Sequence, residues 1–193
     1  MNYFQLYLAG VFHPARAFDE IRSRPAPLWA FKVLLFFNLL ISATSTLARY
    51  LLGQSVLMPS ALTFLPDENY LLAQIFFLPV LRMADWLLSA AIIHLGIRLA
   101  GKPSNMDQIL NIAGVIYLVV MPYTFLIDWT AIALDAFDSE IIVGLHGVVD
   151  LVWSLALQVI GLRRLLGIET KLALTVSVIS LAVGIPLLAL FAR

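Results

Sequence analysis

The chain of 193 residues is 62% hydrophobic and 12% charged, with a mean hydropathy of +0.95. Soluble domains contain about 45–50% apolar and about 25% charged residues, so a soluble single-domain enzyme and a disordered chain are excluded. Twelve basic and twelve acidic residues cancel and leave no net field for nucleic acid, while the lack of cysteine excludes disulfides, thiolate catalysis and cysteine-based metal sites. The class that remains is a polytopic membrane protein.

Residues 1–27 predict an amphipathic helix in the cytoplasmic interface of the membrane. Pro14 suits the first turn of a helix, after which Phe18 and Ile21 share one face while Arg16 lies elsewhere. Such a segment is expected to lie along the lipid surface. Two alternatives stay open, namely a plain cytoplasmic segment packed on the ends of the spans and a face that meets a partner protein.

Five apolar stretches follow, each long enough for a helix to cross about 30 Å of hydrocarbon. Helices are expected because lipid offers the backbone no hydrogen-bond partners and the stretches lack the alternation of barrel strands. The predicted fold is therefore an all-α membrane protein, with a bundle of five transmembrane helices over residues 28–193. The spans are predicted at about 28–47, 71–99, 109–127 (with a longer alternative to 134), 141–162 and 172–191.

Lysine and arginine sort to one side of these spans, which predicts the orientation of the chain. Only Arg49 and Arg193 lie on the opposite side, and Arg82 lies inside a span. By the positive-inside rule the N-terminus is cytoplasmic, and five crossings place the C-terminus in the periplasm of a bacterial inner membrane. The nine basic residues on the cytoplasmic side are Arg16, Arg22, Arg24, Lys32, Arg98, Lys102, Arg163, Arg164 and Lys171.

Three charged residues fall deep inside the predicted spans, where each costs about 2.5–3.5 kcal/mol. Arg82 and Asp85 are near the middle of the second span and share a helix face, and Asp150 is near the middle of the fourth. Both spans run in the same direction, so the three charges are expected at similar depth, and they meet if these two spans touch. Asn38 in the first span and Tyr117 in the third are candidate further partners.

The charged cluster has two interpretations. In the structural one, the charges determine which helices meet, because polar contacts between membrane helices specify register. In the functional one, one arginine leaves one carboxylate in excess, which could carry a proton or bind a substrate. His146 precedes Asp150 by four residues and could relay a proton to it. No third metal ligand is evident beside this pair, and no cofactor, metal or catalytic residue is expected.

Two loops and one N-terminal segment resemble a known family. The segment Val11-Phe12-His13-Pro14-Ala15-Arg16-Ala17-Phe18, followed by Pro25, resembles the pre-membrane segment of bacterial members of the Yip family (Ypt/Rab-interacting proteins). The stretch Leu99-Ala100-Gly101-Lys102-Pro103-Ser104, before a span with Tyr117 and Pro122, resembles the central loop of that family, and the basic turn from Arg163 to Lys171 fits its final hairpin. The resemblance implies five spans and a cytoplasmic N-terminus.

Eukaryotic members of the Yip family bind prenylated small GTPases. This chain lacks the long acidic and aromatic cytoplasmic domain associated with that role, so no GTPase-binding residue carries over. We therefore expect a non-enzymatic protein that organises the membrane or binds a partner, with the lipid bilayer around it and itself or another membrane protein as that partner. The alternative is a small transporter or channel that uses Arg82, Asp85 and Asp150 at mid-depth.

Overall fold

The computed structural model describes residues 2–23, 27–54, 65–137 and 139–191, apart from the side chains of residues 67, 68 and 185–191. Some residues of the predicted segments and loops lie outside the described ranges. They include Arg24, Pro25, Asp138 and Arg193. The described residues form helices and turns and contain no strand. This result confirms the all-α prediction.

The N-terminal segment forms two helices, α1 (Tyr3–Phe12) and α2 (Pro14–Ile21), instead of one. The side chain of Asn2 and the backbone and side chain of Gln5 cap the start of α1 with two reciprocal hydrogen bonds. The chain breaks at His13 because Pro14 has no N–H to continue the helix, although it suits the first turn of the next one.

The amphipathic character predicted for the whole segment belongs to α2 alone. This helix buries Ala17, Phe18 and Ile21 and exposes its charged side. By contrast, α1 is apolar on its buried and its exposed sides, and it packs against the membrane-spanning part of the bundle. The N-terminal unit, which is our name for α1 and α2 together, is therefore a docked part of the bundle.

Longer helices follow, and two of the spans contain a short stretch of wider π-helix. The first span consists of α3 (Leu28–Ile41), a π turn (Ser42–Thr46) and α4 (Leu47–Leu51). The next helices are α5 (Asp67–Leu99) and α6 (Met106–Leu134). The last are α7 (Glu140–His146), a π turn (Gly147–Trp153), α8 (Ser154–Leu166) and α9 (Thr170–Phe191).

Four helices in the described part of the chain are long and apolar enough to cross a membrane. They cover Leu28–Leu51, Asn69–Leu99, Met106–Leu134 and Glu140–Leu166. The portion of α9 with described side chains, Thr170–Gly184, counts as a shorter apolar helix. The first four predicted spans therefore correspond to helices of sufficient length, and the fifth is a proposal.

The two ends of the bundle differ in charge, and tight turns connect helices at each end. Gly101 and Gly167 end α5 and α8 with positive φ angles of 72° and 66°, a left-handed conformation that favours glycine. We call the end with Arg98, Lys102 and Arg163 the basic end. The opposite end, which carries Asp135 and Glu140 at the turn between α6 and α7, is the acidic end.

The central element of the bundle is α6, which packs against α1, α3, α5 and α8. Its Gly114 allows close approach to α3, because a Cβ at this position would lie 2.6 Å from the Cβ and 2.9 Å from the Cα of Ala30. Around this centre, α5 packs mainly against α9, and α8 packs against α2, α6 and α9. This arrangement leaves an internal space between α5, α6, α8 and α9.

Candidate functional site

A cavity of about 360 Å³ lies in the bundle, lined by residues of α5, α6, α8 with its preceding π turn, and α9. Much of its wall is apolar and comes from isoleucine, alanine, valine and leucine side chains. The charged and phenolic side chains that line it are Arg82, Asp85, Tyr117 and Asp150. Four of the five residues predicted to form the intramembrane polar site therefore face one space.

Arg82 and Asn38 approach Tyr117 from two neighbouring helices. The Tyr117 hydroxyl is within hydrogen-bonding reach of both side chains. Asn38 is buried on α3, and its amide nitrogen lies 4.0 Å from the Met83 sulfur. The prediction that Asn38 and Tyr117 accompany the charged residues agrees with this geometry, while their role stays a prediction.

Asp85 lies between Arg82 and the last helix. The carboxylate interacts electrostatically with Arg82 on the same helix, and its Oδ1 would be 2.7 Å from a Cβ placed on Gly184 of α9. Asp85 Oδ1 and Arg82 Nε are buried without a hydrogen-bond partner among the described residues. Buried polar atoms of this kind cost free energy when they have no partner, so a polar ligand in the cavity would stabilise them.

Asp150 takes part in a second cluster, toward the acidic end. Its Oδ1 accepts a hydrogen bond from the Thr124 hydroxyl, and its Oδ2 lies 2.9 Å from His146 Nδ1. The other ring nitrogen, His146 Nε2, lies 3.2 Å from Oδ1 of Asp128 on α6. The imidazole thus bridges two carboxylates from different helices.

Asp128 has partners on its other side as well. Its Oδ2 accepts a hydrogen bond from the Ser45 hydroxyl at 3.3 Å. Arg49, on α4, interacts electrostatically with Asp128, and its guanidinium carbon lies 4.2 Å from the centre of the Phe137 ring. We call Asp128, His146, Asp150 and Arg49 the histidine cluster.

Both π turns lie at the histidine cluster. Ser45 is in the π turn Ser42–Thr46, and Asp150 is in the π turn Gly147–Trp153, directly after His146. A π turn adds a residue to one helical turn and changes the direction of its side chains, and such turns are frequent at functional sites. Here they bring side chains of the first and fourth spans to the same carboxylate-rich position.

Along their described residues, the second and fourth spans face each other across the cavity, whereas the predicted triad requires that they pack directly against each other. In the described residues, α5 and α8 are separated by α6 and α9 and do not pack along each other. Asp150 accordingly has His146 and Thr124 as its hydrogen-bonding partners, whereas Arg82 is next to Tyr117 and Asp85. The predicted triad is divided into two neighbouring groups that share one cavity.

Asp128 and Arg49 belong to the cluster but were missed by the sequence prediction. Asp128 directly follows Ile127, the shorter of the two predicted ends of the third span, and it is not among the predicted site residues. The helix in fact continues to Leu134, because the residues after Asp128 are apolar and contain no helix breaker, and it ends at Asp135 with φ of 48°. Asp128 could have been found from the sequence, because it is an acidic residue inside an apolar stretch that continues to Leu134.

No group of three or more histidine, aspartate or glutamate side chains within the described ranges has a geometry that could hold a metal ion. His94, the histidine of α5, is near the basic end, where its Nδ1 lies 2.9 Å from the Ser104 hydroxyl. The histidine cluster is connected by hydrogen bonds and ion-pair contacts, which are suited to binding a proton.

A second candidate site is the surface of the N-terminal unit at the basic end. Arg164 of α8 donates from Nη2 to Asp19 Oδ2 at 2.7 Å and from Nε to both oxygens at 3.0 Å. This hydrogen-bonded arginine holds the pKa of Asp19 below its usual range. Arg22 adds a hydrogen bond of 2.6 Å to the Arg164 carbonyl. These contacts attach α2 to the last turns of α8.

The other helix of the unit, α1, is held against the middle of α6. Gly10 packs so closely that a Cβ there would lie 2.3 Å from Val119 Cγ2. Tyr7 donates a hydrogen bond of 3.3 Å to the Tyr123 hydroxyl. On the outer side, Phe4 and Phe12 remain 67% and 69% exposed. The unit thus presents an apolar surface that the bundle itself does not cover.

Comparison with known proteins identifies a family. A family model described as the Yip1 domain matches residues 9–191, from α1 to the last residue of α9. No curated protein and no solved structure matches the chain.

Proposed function

Since the chain belongs to the Yip1 domain family, we propose that it acts without catalysis, as a polytopic protein that organises a membrane by binding a partner. In this proposal the membrane is a bacterial inner membrane, the basic end faces the cytoplasm, and α9 completes a set of five spans. The partner is another membrane protein or a second copy of this chain, and it binds at the N-terminal unit.

The exposed side of α1 carries the proposal. Phe4 and Phe12 are large apolar side chains on a helix that is already docked against α6 through its other side. Exposed aromatic residues are enriched among the side chains that contribute most to binding at interfaces. The neighbouring charges Arg16 and Arg22 are exposed at the basic end, where they would form a polar rim around the apolar contact.

Site-specific photocrosslinking in native membranes tests this proposal. A photoreactive phenylalanine analogue replaces Phe12 in one protein and Phe76 in another, since Phe76 on α5 is 73% exposed and belongs to no described site. We expect a discrete protein adduct from position 12 and only lipid adducts from position 76. Identical lipid adducts from both positions would contradict partner binding at the N-terminal unit.

A second candidate function, transport, is favoured by the cavity. Arg82, Asp85 and Asp150 line a space of about 360 Å³ at mid-bundle, and one buried atom of each of the first two has no hydrogen-bond partner in the described part of the chain. Ionisable groups inside a membrane commonly mark ion and proton pathways. A cation or proton that enters this cavity would interact with the carboxylates of Asp85 and Asp150.

Proton flux into proteoliposomes, followed with an internal pH-sensitive dye, tests the transport candidate. Asp85→Asn and Asp150→Asn should each abolish a flux that the native protein shows, while the purified variants stay monodisperse. Asp107→Asn is the matched control, because Asp107 is exposed in the first turn of α6 and outside the cavity. Equal flux in the three variants and the native protein, or loss of stability alone, would assign the cavity residues a structural role.

A further inference from the structure

The two ring nitrogens of His146 each face a carboxylate oxygen. Nδ1 lies 2.9 Å from Asp150 Oδ2, and Nε2 lies 3.2 Å from Asp128 Oδ1. A neutral imidazole has one N–H donor and one acceptor nitrogen, whereas an imidazolium has two donors. Two ionised carboxylates at these distances require two donors. The group of three side chains therefore holds one more proton than a neutral imidazole flanked by two ionised carboxylates would hold.

The sum of the charges around His146 also favours an imidazolium. Asp128 and Asp150 contribute two negative charges, and Arg49 beside Asp128 contributes one positive charge. One further positive charge makes the group neutral, and an isolated charge is costly inside a membrane. Across the cavity, Arg82 and Asp85 interact with each other, and α9 has no charged residue between Leu172 and Gly184.

The carboxylates that hold the imidazole are themselves positioned. The Ser45 hydroxyl lies 3.3 Å from Asp128 Oδ2 and shares its proton between this oxygen and the Ile41 carbonyl at 3.0 Å. The Thr124 hydroxyl donates to Asp150. Each carboxylate therefore keeps one oxygen on a hydroxyl donor and turns the other toward a ring nitrogen. Acceptors oriented in this way favour a doubly protonated ring and disfavour rotation of the imidazole.

We propose that His146 is a proton-binding site, in which an imidazolium bridges Asp128 and Asp150 and links the acidic end of the bundle to the internal cavity. His146 is six residues after the start of α7, and Asp128 is six residues before the end of α6. At a rise of 1.5 Å per residue, both lie about 9 Å from the acidic end. Asp150 extends from this site into the cavity wall, and the site does not depend on partner binding or on transport.

Nitrogen NMR of the full-length chain in lipid nanodiscs tests the proposal. The chain has three histidines, His13, His94 and His146, so ¹⁵N-histidine labelling yields few signals, and His146→Gln assigns one of them. The spectrum is recorded above the pH range in which an ordinary histidine loses its proton. We expect both ring nitrogens of His146 to be protonated at this pH.

Two variants test which carboxylate holds which nitrogen. Asp128→Asn should leave a neutral ring with its N–H on Nδ1, facing Asp150, and Asp150→Asn should leave the N–H on Nε2, facing Asp128. The matched control Asp107→Asn should leave the imidazolium signal unchanged. A neutral His146 in the native protein, or an imidazolium that both asparagine variants retain, would overturn the proposal. The spectrum of the native protein tests whether His146 is an imidazolium even if a variant fails to fold.

Discussion

At the scale of single residues, small side chains determine how closely the helices approach. Gly114 faces the backbone and the Cβ of Ala30, whereas Gly144 on α7 has no heavy atom within 4 Å of an added Cβ. The first glycine is therefore part of the α3–α6 contact, and the second is open to the surroundings. Close packing of small residues is a main source of association between membrane helices.

Gly114→Ala should lower the free energy of unfolding by about 1–3 kcal/mol, because the new methyl group meets backbone atoms that cannot move away by changing a rotamer. The measurement is unfolding of the purified protein by denaturing detergent in mixed micelles. Gly144→Ala is the control and should cause no loss of stability, since alanine favours helix over glycine. Equal effects of the two substitutions would refute the role assigned to Gly114.

At the scale of elements, the attachment of α2 to α8 includes an exposed but multiply bonded ion pair. Arg164 contacts Asp19 of α2 through three hydrogen bonds. Phe18 and Ile21, which are also on α2, are fully buried. Surface ion pairs contribute little unless their geometry is favourable, and this arginine fork has such a geometry. The ion pair is expected to orient α2, and the buried side chains to hold it on the bundle.

The Asp19–Arg164 contact should make the protection of α2 depend on pH. Arg164 lowers the pKa of Asp19, so the contribution is present above the usual carboxyl range and is lost as the pH falls through this lowered pKa. Hydrogen exchange of residues 14–21, corrected for intrinsic rates, should show the loss of protection in acid. At neutral pH, Arg164→Gln should raise exchange in α2.

Arg163→Gln is the matched control for this measurement, because Arg163 is the neighbouring exposed arginine of the same helix. Its substitution should leave exchange in α2 unchanged. If both arginine variants raised exchange equally, the effect would be due to the net charge of the basic end and not to the Asp19 contact.

At the scale of the whole molecule, the separation of charge between the two ends predicts a single orientation in the membrane. The basic end carries Arg98, Lys102 and Arg163, and the acidic end carries Asp135 and Glu140. Orientation follows the distribution of lysine and arginine in short loops. The basic end is therefore expected in the cytoplasm, with the histidine cluster close to the outer surface.

Cysteine labelling measures this topology directly, because the chain has no cysteine of its own. Lys102→Cys should react with a membrane-impermeant maleimide only after the cells are opened, since Lys102 is exposed at the basic end. Glu140→Cys should react in intact spheroplasts, and Arg193→Cys should do so as well if α9 is a fifth span. Protection of Arg193→Cys in spheroplasts would instead leave four spans.

The extent of sequence-based prediction differs between the helices and the site. The helical class and the apolar stretches of the first four spans followed from hydrophobicity and length, which are properties of each segment by itself, whereas the family followed from the resemblance of the segments around Pro14 and Gly101. The break at His13 was missed, although Pro14 was already recognised as a helix start. The helix α1 was predicted to be amphipathic because its residues were considered together with those of α2.

For the site, Arg82, Asp85 and Asp150 were recognisable from the amino-acid sequence as charges inside apolar segments, because this pattern is visible without a fold. Tertiary structure alone decided their partners. The rotation of each helix and the two π turns place His146 between Asp150 and Asp128 and leave Arg82 with Tyr117. Such contacts depend on which faces of neighbouring helices meet, and that choice is made by packing over the whole bundle, including the close approach of Gly114 to Ala30.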